Sequence, residues 1–250
     1  MTPRPNAVSP APQHCIDCPA WKQSAFHALT PAELDALARS KTSRSYERGE
    51  TFSEQGKPIG QVYCIARGSA KVTRTNRKQG ETKSESHRES LVRLARPGDL
   101  LGYRCIFSEE TYRATAYALE PSAACTIDSS RIYELIRSNP EFTMELLKRM
   151  GREIASAENR HHSFCQRDSR ERIAEALLLL MDSGDRRALR SSPVRIPLTR
   201  VELSNWVGVA KETVIRCLSD FKEEGLIRQD EDSLVILDPA RLTGIARFED

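Results

Sequence analysis

The chain has 250 residues, of which 39% are hydrophobic and 29% are charged, so we expect one or two globular domains rather than a disordered chain. Its formal net charge of +3 is too small for a non-specific polyelectrolyte binder of nucleic acid. No apolar run approaches the ~20 residues of a membrane span, and residues 1–13 lack the apolar region of a secretory signal, so a cytoplasmic protein without a membrane partner is predicted.

The N-terminal region is rich in proline and contains two closely spaced cysteines. Residues 1–13 combine prolines with small polar residues, a composition that predicts disorder, and we expect a flexible arm over residues 1–25. Cys15 and Cys18 lie in this arm. The chain has seven cysteines, an odd number at irregular spacing, which argues against a disulfide framework and fits a reducing compartment.

Residues 26–137 have the pattern of an antiparallel β-domain. Short helices come first, with Thr30 and Pro31 as the cap and first residue of one of them. Turn signals rich in glycine then recur about every ten residues. The segments QVYCIA, AKVTRT, SLVRLA and CTI lie between these turns and read as strands. The sequence therefore predicts a barrel or jelly roll, in which the polar residues 74–90 form a long hairpin tip.

Residues 138–168 are predicted to form a dimerisation helix followed by a hinge at residues 167–169. Over residues 140–164, apolar side chains recur at alternating spacings of three and four, as in a heptad seam. We predict that this seam packs against the same helix of a second copy; a helix packed on its own barrel is the alternative. The seam consists of Leu147, Met150, Ile154, Ala157, His161 and Phe164.

The last region, residues 169–250, is predicted to be a winged helix-turn-helix domain. It begins with a helix capped by Ser169 and continues through a polar linker at residues 184–197. Two short helices then meet at a tight turn, which Gly208 supplies because a residue without Cβ can take positive φ. Two strands around an acidic turn follow, at residues 226–228 and 234–237.

The two short helices have clear ends and clear buried faces. Thr199 and Glu202 form a capping box for the first helix. Gly225 ends the second helix. Its apolar residues fall at i, i+3, i+4 and i+7, so one face is buried: Val214, Cys217, Leu218 and Phe221.

The exposed N-terminal end of the second helix carries the functional signal. A helix enters the major groove end-first, and there Arg or Lys can donate to guanine while Glu can accept from cytosine. An ordinary helical hairpin with a solvated charged face is the alternative. The predicted DNA contacts are Lys211, Glu212, Thr213, Ile215 and Arg216 on the second helix, and Thr199 and Arg200 at the start of the first.

At these residues the chain resembles the CRP/FNR superfamily of bacterial transcription regulators. The resemblance is carried by the capping box, by Glu212-Thr213 with Arg216, and by the following pattern L-x-x-F-x-x-x-G-L-I. YxxxRGxxKV and RPGDLLG also resemble the β-roll sensor domain of that superfamily, so the similarity extends over roughly residues 25–250. The implied fold class is α+β: an antiparallel β-roll like a cyclic-nucleotide-binding domain, a long dimerisation helix and a winged helix-turn-helix.

The resemblance implies a sequence-specific regulator that binds DNA as a homodimer. In the family a Glu and an Arg four residues apart read the half-site, and they match Glu212 and Arg216. The implied site is a palindrome with TGTGA- or TTGA-like half-sites, read by two recognition helices ~34 Å apart, and RNA polymerase is an implied partner. A redox, iron–sulfur or small-ligand sensor whose main output is not DNA binding is the alternative function.

Cyclic AMP is not the expected effector. Family members that bind it use a Gly-Glu pair for the ribose hydroxyls and an Arg-Ser/Thr pair for the phosphate. Here Gly102 is followed by Tyr103 and Arg104, so the carboxylate that accepts from the ribose is missing, and unpaired buried hydroxyls are costly. The stretch Arg113-Ala114-Thr115 retains an Arg at about the distance expected for the phosphate pair. The candidate pocket for another small ligand remains Gly102, Tyr103, Arg104, Arg113 and Thr115.

An iron–sulfur cluster is the second effector that the resemblance implies. FNR-type oxygen sensors hold a [4Fe–4S] cluster with C-x2-C-x5-C near the N-terminus and one distant Cys. Cys15, Cys18 and Cys125 match three of these positions, and Ser24 stands at the fourth. Asp17, His14 or solvent are other candidates for the missing ligand. Because such clusters normally need four ligands, thiol redox chemistry and regulation without an effector stay open.

No enzymatic activity is predicted. The sequence contains no Ser-His-Asp, HExxH, P-loop or GxGxxG arrangement. His161 and His162 are adjacent on a helix, so they face different directions and make a poor metal pair.

Overall fold

The chain divides into two compact units, residues 1–154 and 155–250. This computed structural model describes residues 9–75, 89–108, 111–181, 195–196, 198–229 and 234–247. The predicted hairpin tip, most of the polar linker and the acidic turn therefore lie outside the described residues.

The first unit is built on two four-stranded antiparallel sheets, in agreement with the predicted β-roll. Their strand orders are β1-β8-β3-β6 and β2-β7-β4-β5. The strands are β1 (Thr42–Tyr46), β2 (Thr51–Ser53), β3 (Gln61–Arg67), β4 (Ala70–Thr75), β5 (Glu89–Ala95), β6 (Leu100–Leu101), β7 (Thr115–Ala118) and β8 (Ser122–Asp128).

Each face of the first sheet packs against a different core, because successive side chains of a strand point to opposite sides. Ile65 and Ala124 join the core between the two sheets, with Phe52 and Val72 from the second sheet. The neighbouring side chains on β3 and β8 point the other way and join a core covered by helices. These helices are α1 (Pro31–Ser40), α3 (Ser129–Ser138) and the first half of α4 (Pro140–Gln166), while the short α2 (Cys105–Ser108) follows β6.

The N-terminal segment packs against this covered face and is not a free arm from residue 9 onward. Three 3-10 helices, at Cys15–Asp17, Trp21–Gln23 and Ala25–Ala28, bring Cys15 and Phe26 into the core. Ala11 is also buried there. The proline content made this segment read as flexible, but its few apolar residues are enough to bury it against the sheet.

The second unit contains the last turns of α4 and a winged helix-turn-helix, again in agreement with the sequence. Its sheet has the antiparallel order β10-β11-β9. Strand β9 lies in the region predicted as linker, and α8 was not predicted. The elements are α5 (Ser169–Met181), β9 (Arg195–Ile196), α6 (Arg200–Val207), α7 (Lys211–Glu223), β10 (Ile227–Gln229), β11 (Leu234–Ile236) and α8 (Pro239–Ala246).

Helix α5 is capped one residue earlier than the sequence indicates. The Asp168 carboxylate accepts hydrogen bonds from the backbone N–H groups of Arg170 and Glu171, at 2.8 and 2.9 Å. Glu171 in turn accepts from the Asp168 N–H at 3.1 Å, which completes a capping box. Asp168 therefore takes the capping role predicted for Ser169, because a carboxylate at this position reaches both N–H groups and is stabilised by the helix dipole.

Candidate nucleic-acid interface and sensor site

Helices α6 and α7 form the predicted helical pair. The Thr199 hydroxyl accepts from the Glu202 N–H at 3.2 Å, and the Glu202 carboxylate accepts from the Thr199 N–H at 2.8 Å. Gly208 follows α6 in the left-handed conformation, with φ 69° and ψ 36°. Thr199 and Arg200 both lie exposed at the start of α6. The capping box thus sets where α6 begins, and the turn at Gly208 sets where α6 ends and α7 can begin.

Helix α7 has a buried back and an exposed, charged N-terminal end. The four predicted apolar residues are all buried, and Phe221 is completely inaccessible. Lys211, Glu212 and Arg216 are exposed on the other side. Ile215 is also exposed, and Thr213 is half-buried next to them. The structure therefore brings these five predicted residues to the N-terminal end of α7, directly after the tight turn at Gly208.

The tight turn depends on Gly208, so we expect Gly208→Ala to destabilise the second unit. A Cβ at this position would overlap the Phe164 ring, and the positive φ is itself unfavourable for alanine. The expected cost is about 1–3 kcal/mol. Faster hydrogen–deuterium exchange in α6 and α7, together with a lower Tm, would measure it. Gly244→Ala is the matched control, because nothing lies within 4 Å of the added Cβ; equal effects of the two substitutions would contradict this account.

The long helix α4 leaves most of the predicted seam uncovered in a single chain. Leu147 and Ile154 are 53% and 56% exposed, and Ala157 and His161 are also exposed. Met150 differs, because it packs partly against the core of the first unit. Phe164 lies beside Gly208 and stacks under the guanidinium of Arg172, with 5.2 Å from Cζ to the ring centroid, although 47% of it is exposed.

Glu153 on α4 contacts two residues of the predicted effector pocket in the first unit, Tyr103 and Arg104. Its carboxylate pairs with Arg93 and lies 3.1 Å from Arg104 Nε, and the Tyr103 hydroxyl donates to it at 3.1 Å. Tyr103 is buried, and this burial, followed by the Glu153 charge, strongly raises the pKa of its phenol. Sequence reasoning missed Arg93 and Glu153, because only the packing of α4 on the β-roll brings them to Tyr103.

The remaining predicted pocket residues have other surroundings. Gly102 adopts φ 83°, and a Cβ there would meet the Tyr112 ring at 2.9 Å. The Thr115 hydroxyl accepts from the Gln55 N–H at 3.0 Å, at the start of β7. Arg113 is exposed. Of the five predicted pocket residues, Tyr103 and Arg104 therefore contact the Glu153 carboxylate, while Gly102, Arg113 and Thr115 have the surroundings described here.

The predicted cysteines lie on the covered face of the first sheet, together with one cysteine that was not predicted. Cys15 and Cys125 are buried in one core, and Cys18 packs partly against it. Cys64 belongs to the same core and is the direct partner of Cys125 across the β3–β8 ladder. The motif C-x2-C gives no hint of Cys64, since strand pairing alone brings β3 next to β8.

Lys41 is the charged neighbour of these thiols. Its ammonium donates to Cys125 Sγ at 3.1 Å and to the Pro12 carbonyl at 2.9 Å. Burial raises the pKa of the Cys15 and Cys125 thiols, and Lys41 opposes this rise in both. Ser24 is engaged differently: its hydroxyl is buried and donates to the Trp21 carbonyl at 2.8 Å.

Two negative findings apply to the described part of the chain. No group of three or more His, Cys, Asp and Glu side chains converges closely enough to hold a single metal ion. No described helix is both long and apolar enough to cross a bilayer.

Two family models match the chain, and together they cover more than half of it. The model of the cyclic nucleotide-binding domain matches residues 43–139. The model of the Crp-like helix-turn-helix domain matches residues 171–245. The boundaries agree with the β-roll and the winged helix-turn-helix of the structure.

Similar proteins lead to the same family. The transcriptional activator protein Anr of Pseudomonas aeruginosa is 29% identical over 234 residues, which cover 93% of this chain and 92% of that protein. A CRP-like cAMP-activated global transcriptional regulator of Mycobacterium tuberculosis is 27% identical, covering 89% and 96%. The structure of FixK2 from Bradyrhizobium japonicum superposes with a TM-score of 0.68 at 21% identity, covering 82% and 96%, and shows the shared fold. With its β-roll, its helix-turn-helix and these relatives, the chain belongs to the CRP/FNR family of DNA-binding transcription regulators.

Proposed function

We propose that two copies of the chain bind a palindromic promoter site and that the N-terminal end of α7 reads each half-site. The observation that carries this proposal is the charged end of α7: Lys211, Glu212 and Arg216 are exposed while the opposite face of the helix is fully packed. A rigid helix that exposes charged residues in its first two turns suits the major groove. The half-site is expected to resemble TGTGA or TTGA, in which Arg216 donates to guanine and Glu212 accepts from cytosine.

Phosphate contacts would orient this helix. Among the described residues no side chain caps α7, since Ala210 stands at its N-cap, so its first backbone N–H groups are available to an anion. Thr213, Thr199 and Arg200 lie at the starts of the two helices and are the proposed phosphate ligands, with Ile215 packing against the groove. Residues 169–250 have 13 basic and 15 acidic residues. Non-specific attraction is therefore weak, and binding depends on these contacts and on their doubling in a dimer.

The seam of α4 is the proposed dimer contact, and RNA polymerase is the proposed partner of the DNA-bound dimer. The exposed Leu147 and Ile154 support the first part. Two-fold symmetry would then set the recognition helices ~34 Å apart, one turn of DNA. The second part is supported by relatives named as transcriptional activators.

Site selection from random duplexes, followed by footprinting, tests the proposed function. We expect a two-fold symmetric consensus whose half-sites are centred one helical turn apart. If the full-length protein selects no palindrome in either its oxidised or its anaerobic form, the proposal fails, and the alternative of a sensor with another output is favoured.

Cyclic AMP is not part of the proposal, because Glu153 already supplies the anionic partner of Arg93 and Arg104. We expect Glu153→Gln to lower the stability of the first unit by roughly 3 kcal/mol, since removing one partner of a largely buried ion pair leaves the other uncompensated. Thermal unfolding measures this, with the exposed Glu158→Gln on the same helix as control. Calorimetric titration of the wild type with cyclic AMP should show no micromolar binding; such binding, or equal unfolding of both variants, would contradict this role of Glu153.

The N-terminal thiols are proposed to be the part of the protein that senses the effector. Cys15 and Cys125 are buried in one core on the covered face of the β-roll, Cys18 packs partly against it, and Lys41 donates to Cys125, which supports a thiol-held iron–sulfur cluster there. Such a group would supply sensitivity to oxygen or to redox state. Ser24 stands at the position where the motif has its third N-terminal cysteine.

A further inference from the structure

We propose that Cys64, and not Ser24, supplies the fourth thiolate of an iron–sulfur site formed with Cys15, Cys18 and Cys125. This inference rests on the proposal that the N-terminal thiols are the sensor. It adds a ligand from the middle of the β-roll, which neither the C-x2-C motif nor its spacing indicates.

The register of the first sheet brings Cys64 to the site. Strands β3 and β8 are antiparallel, and Cys64 lies directly opposite Cys125. Directly opposed residues of such a ladder point to the same face, with their Cβ atoms about 4.5–5.5 Å apart. Their neighbours Ile65 and Ala124 join the other core, between the sheets. The Cys64 and Cys125 side chains therefore share the covered face, where Cys15 is buried with them.

The N-terminal segment closes over this pair of strand cysteines. The first 3-10 helix begins at Cys15 and is capped by Cys18, whose N–H donates to the Cys15 carbonyl at 3.0 Å. Lys41 holds the segment in place through the Pro12 carbonyl while it donates to Cys125. Cys15, Cys64 and Cys125 are buried in the same core, and Cys18 packs partly against it.

Lys41 fits an anionic group at this place better than four neutral thiols. A half-buried ammonium is costly unless a negative charge compensates it. The described structure gives Lys41 a backbone carbonyl and cysteine sulfur as hydrogen-bond partners. Thiols that bind iron lose their protons, so a four-thiolate site would be anionic and would be stabilised by this cation.

The donor set fits an iron–sulfur cluster and does not fit one metal ion. Four cysteine thiolates are the usual ligands of such clusters. The thiols do not converge on a single-ion position in the described residues, whereas a cluster of several iron and sulfide ions is wider and takes ligands that are farther apart. Ser24 fits less well, because its hydroxyl is a harder donor and is already bonded to the Trp21 carbonyl.

Anaerobic reconstitution of the full-length protein with ferrous iron and sulfide tests this inference. Iron, acid-labile sulfide and visible charge-transfer absorption are measured per chain for the wild type and for Cys64→Ala, Cys64→Ser, Ser24→Ala and Cys15→Ala. Cys165→Ala is the matched control, because this cysteine is exposed and lies in the second unit. Circular dichroism of each variant before reconstitution checks that it is folded.

We expect Cys64→Ala and Cys15→Ala each to bind about tenfold less iron per chain than the wild type, or less still. Ser24→Ala and Cys165→Ala should bind as much iron as the wild type. Cys64→Ser preserves the size of the side chain, and it should either lose the cluster or hold one with an altered spectrum. If both Cys64 variants match the wild type while Cys15→Ala loses iron, Cys64 is not a ligand and only this inference fails. If the wild type itself binds no iron with sulfide, or binds zinc alone, the sensor proposal fails as well.

Discussion

Replacing Arg216 with Ala should weaken binding to the selected palindrome by roughly 30-fold to 10⁴-fold. Each lost base contact is expected to cost about 1–3 kcal/mol, and a dimer loses two. Arg216 is exposed on α7, one turn after Glu212, and Phe221 and Leu218 anchor the opposite face of the helix. The change should therefore remove the contact without unfolding the domain. Gel shift or fluorescence anisotropy at fixed salt measures the effect.

The same experiment with Glu212→Ala should also relax the base preference at one position of each half-site, since a carboxylate accepts from cytosine and repels other base edges. Lys222→Ala is the matched control: it removes a positive charge from the exposed last turn of the same helix, beyond the reach of the groove. If Lys222→Ala weakens binding as much as Arg216→Ala, affinity comes from net charge alone and α7 does not read the site.

Introducing aspartate at both Leu147 and Ile154 should convert the dimer to a monomer and abolish specific binding. Both side chains are more than half exposed in the single chain, although they are large and apolar. Burying the exposed halves of four such side chains in a dimer would contribute roughly 3–6 kcal/mol, and the aspartates would add like-charge repulsion. Sedimentation or light scattering measures the oligomeric state, and gel shift measures the loss of DNA binding.

Ser156→Asp controls for added charge on the same helix, because Ser156 is exposed and lies off the predicted seam. It should remain dimeric. A wild type that is monomeric at micromolar concentration would remove the basis for the proposed palindrome, and a dimeric Leu147→Asp/Ile154→Asp variant would place the dimer contact elsewhere.

Local signals predicted the C-terminal unit well. The capping box at Thr199 and Glu202, the glycine turn at Gly208 and the i, i+3, i+4, i+7 spacing in α7 each depend on residues within seven positions of each other. Such patterns follow from helix geometry, so they can be recognised from the sequence without knowledge of the tertiary structure. The cap of α5 shows the limit of this approach, because Asp168 and Ser169 are both good caps and only the backbone geometry distinguishes them.

The β-roll was predicted as a class, but its sites were not predicted. Strands β3, β4, β5 and β8 follow from alternating apolar segments bounded by turns. Which strand pairs with which does not follow from such segments, and the pairing of β3 with β8 is what puts Cys64 opposite Cys125. Glu153 illustrates the same limit, since it is 50 residues from Tyr103 in sequence and only the packing of α4 brings the two together.

By itself, the sequence determined the order of the domains, the buried and exposed faces of the recognition helix and the family to which the chain belongs, because helical period, turn chemistry and short motifs are local properties. Only the tertiary structure decided that the N-terminal segment is packed, that a glutamate of the chain pairs with Arg93, and that a fourth cysteine lies among the other three. These facts depend on contacts between residues far apart in the chain, and sequence spacing does not set the distances between strands and helices that meet only in the folded core.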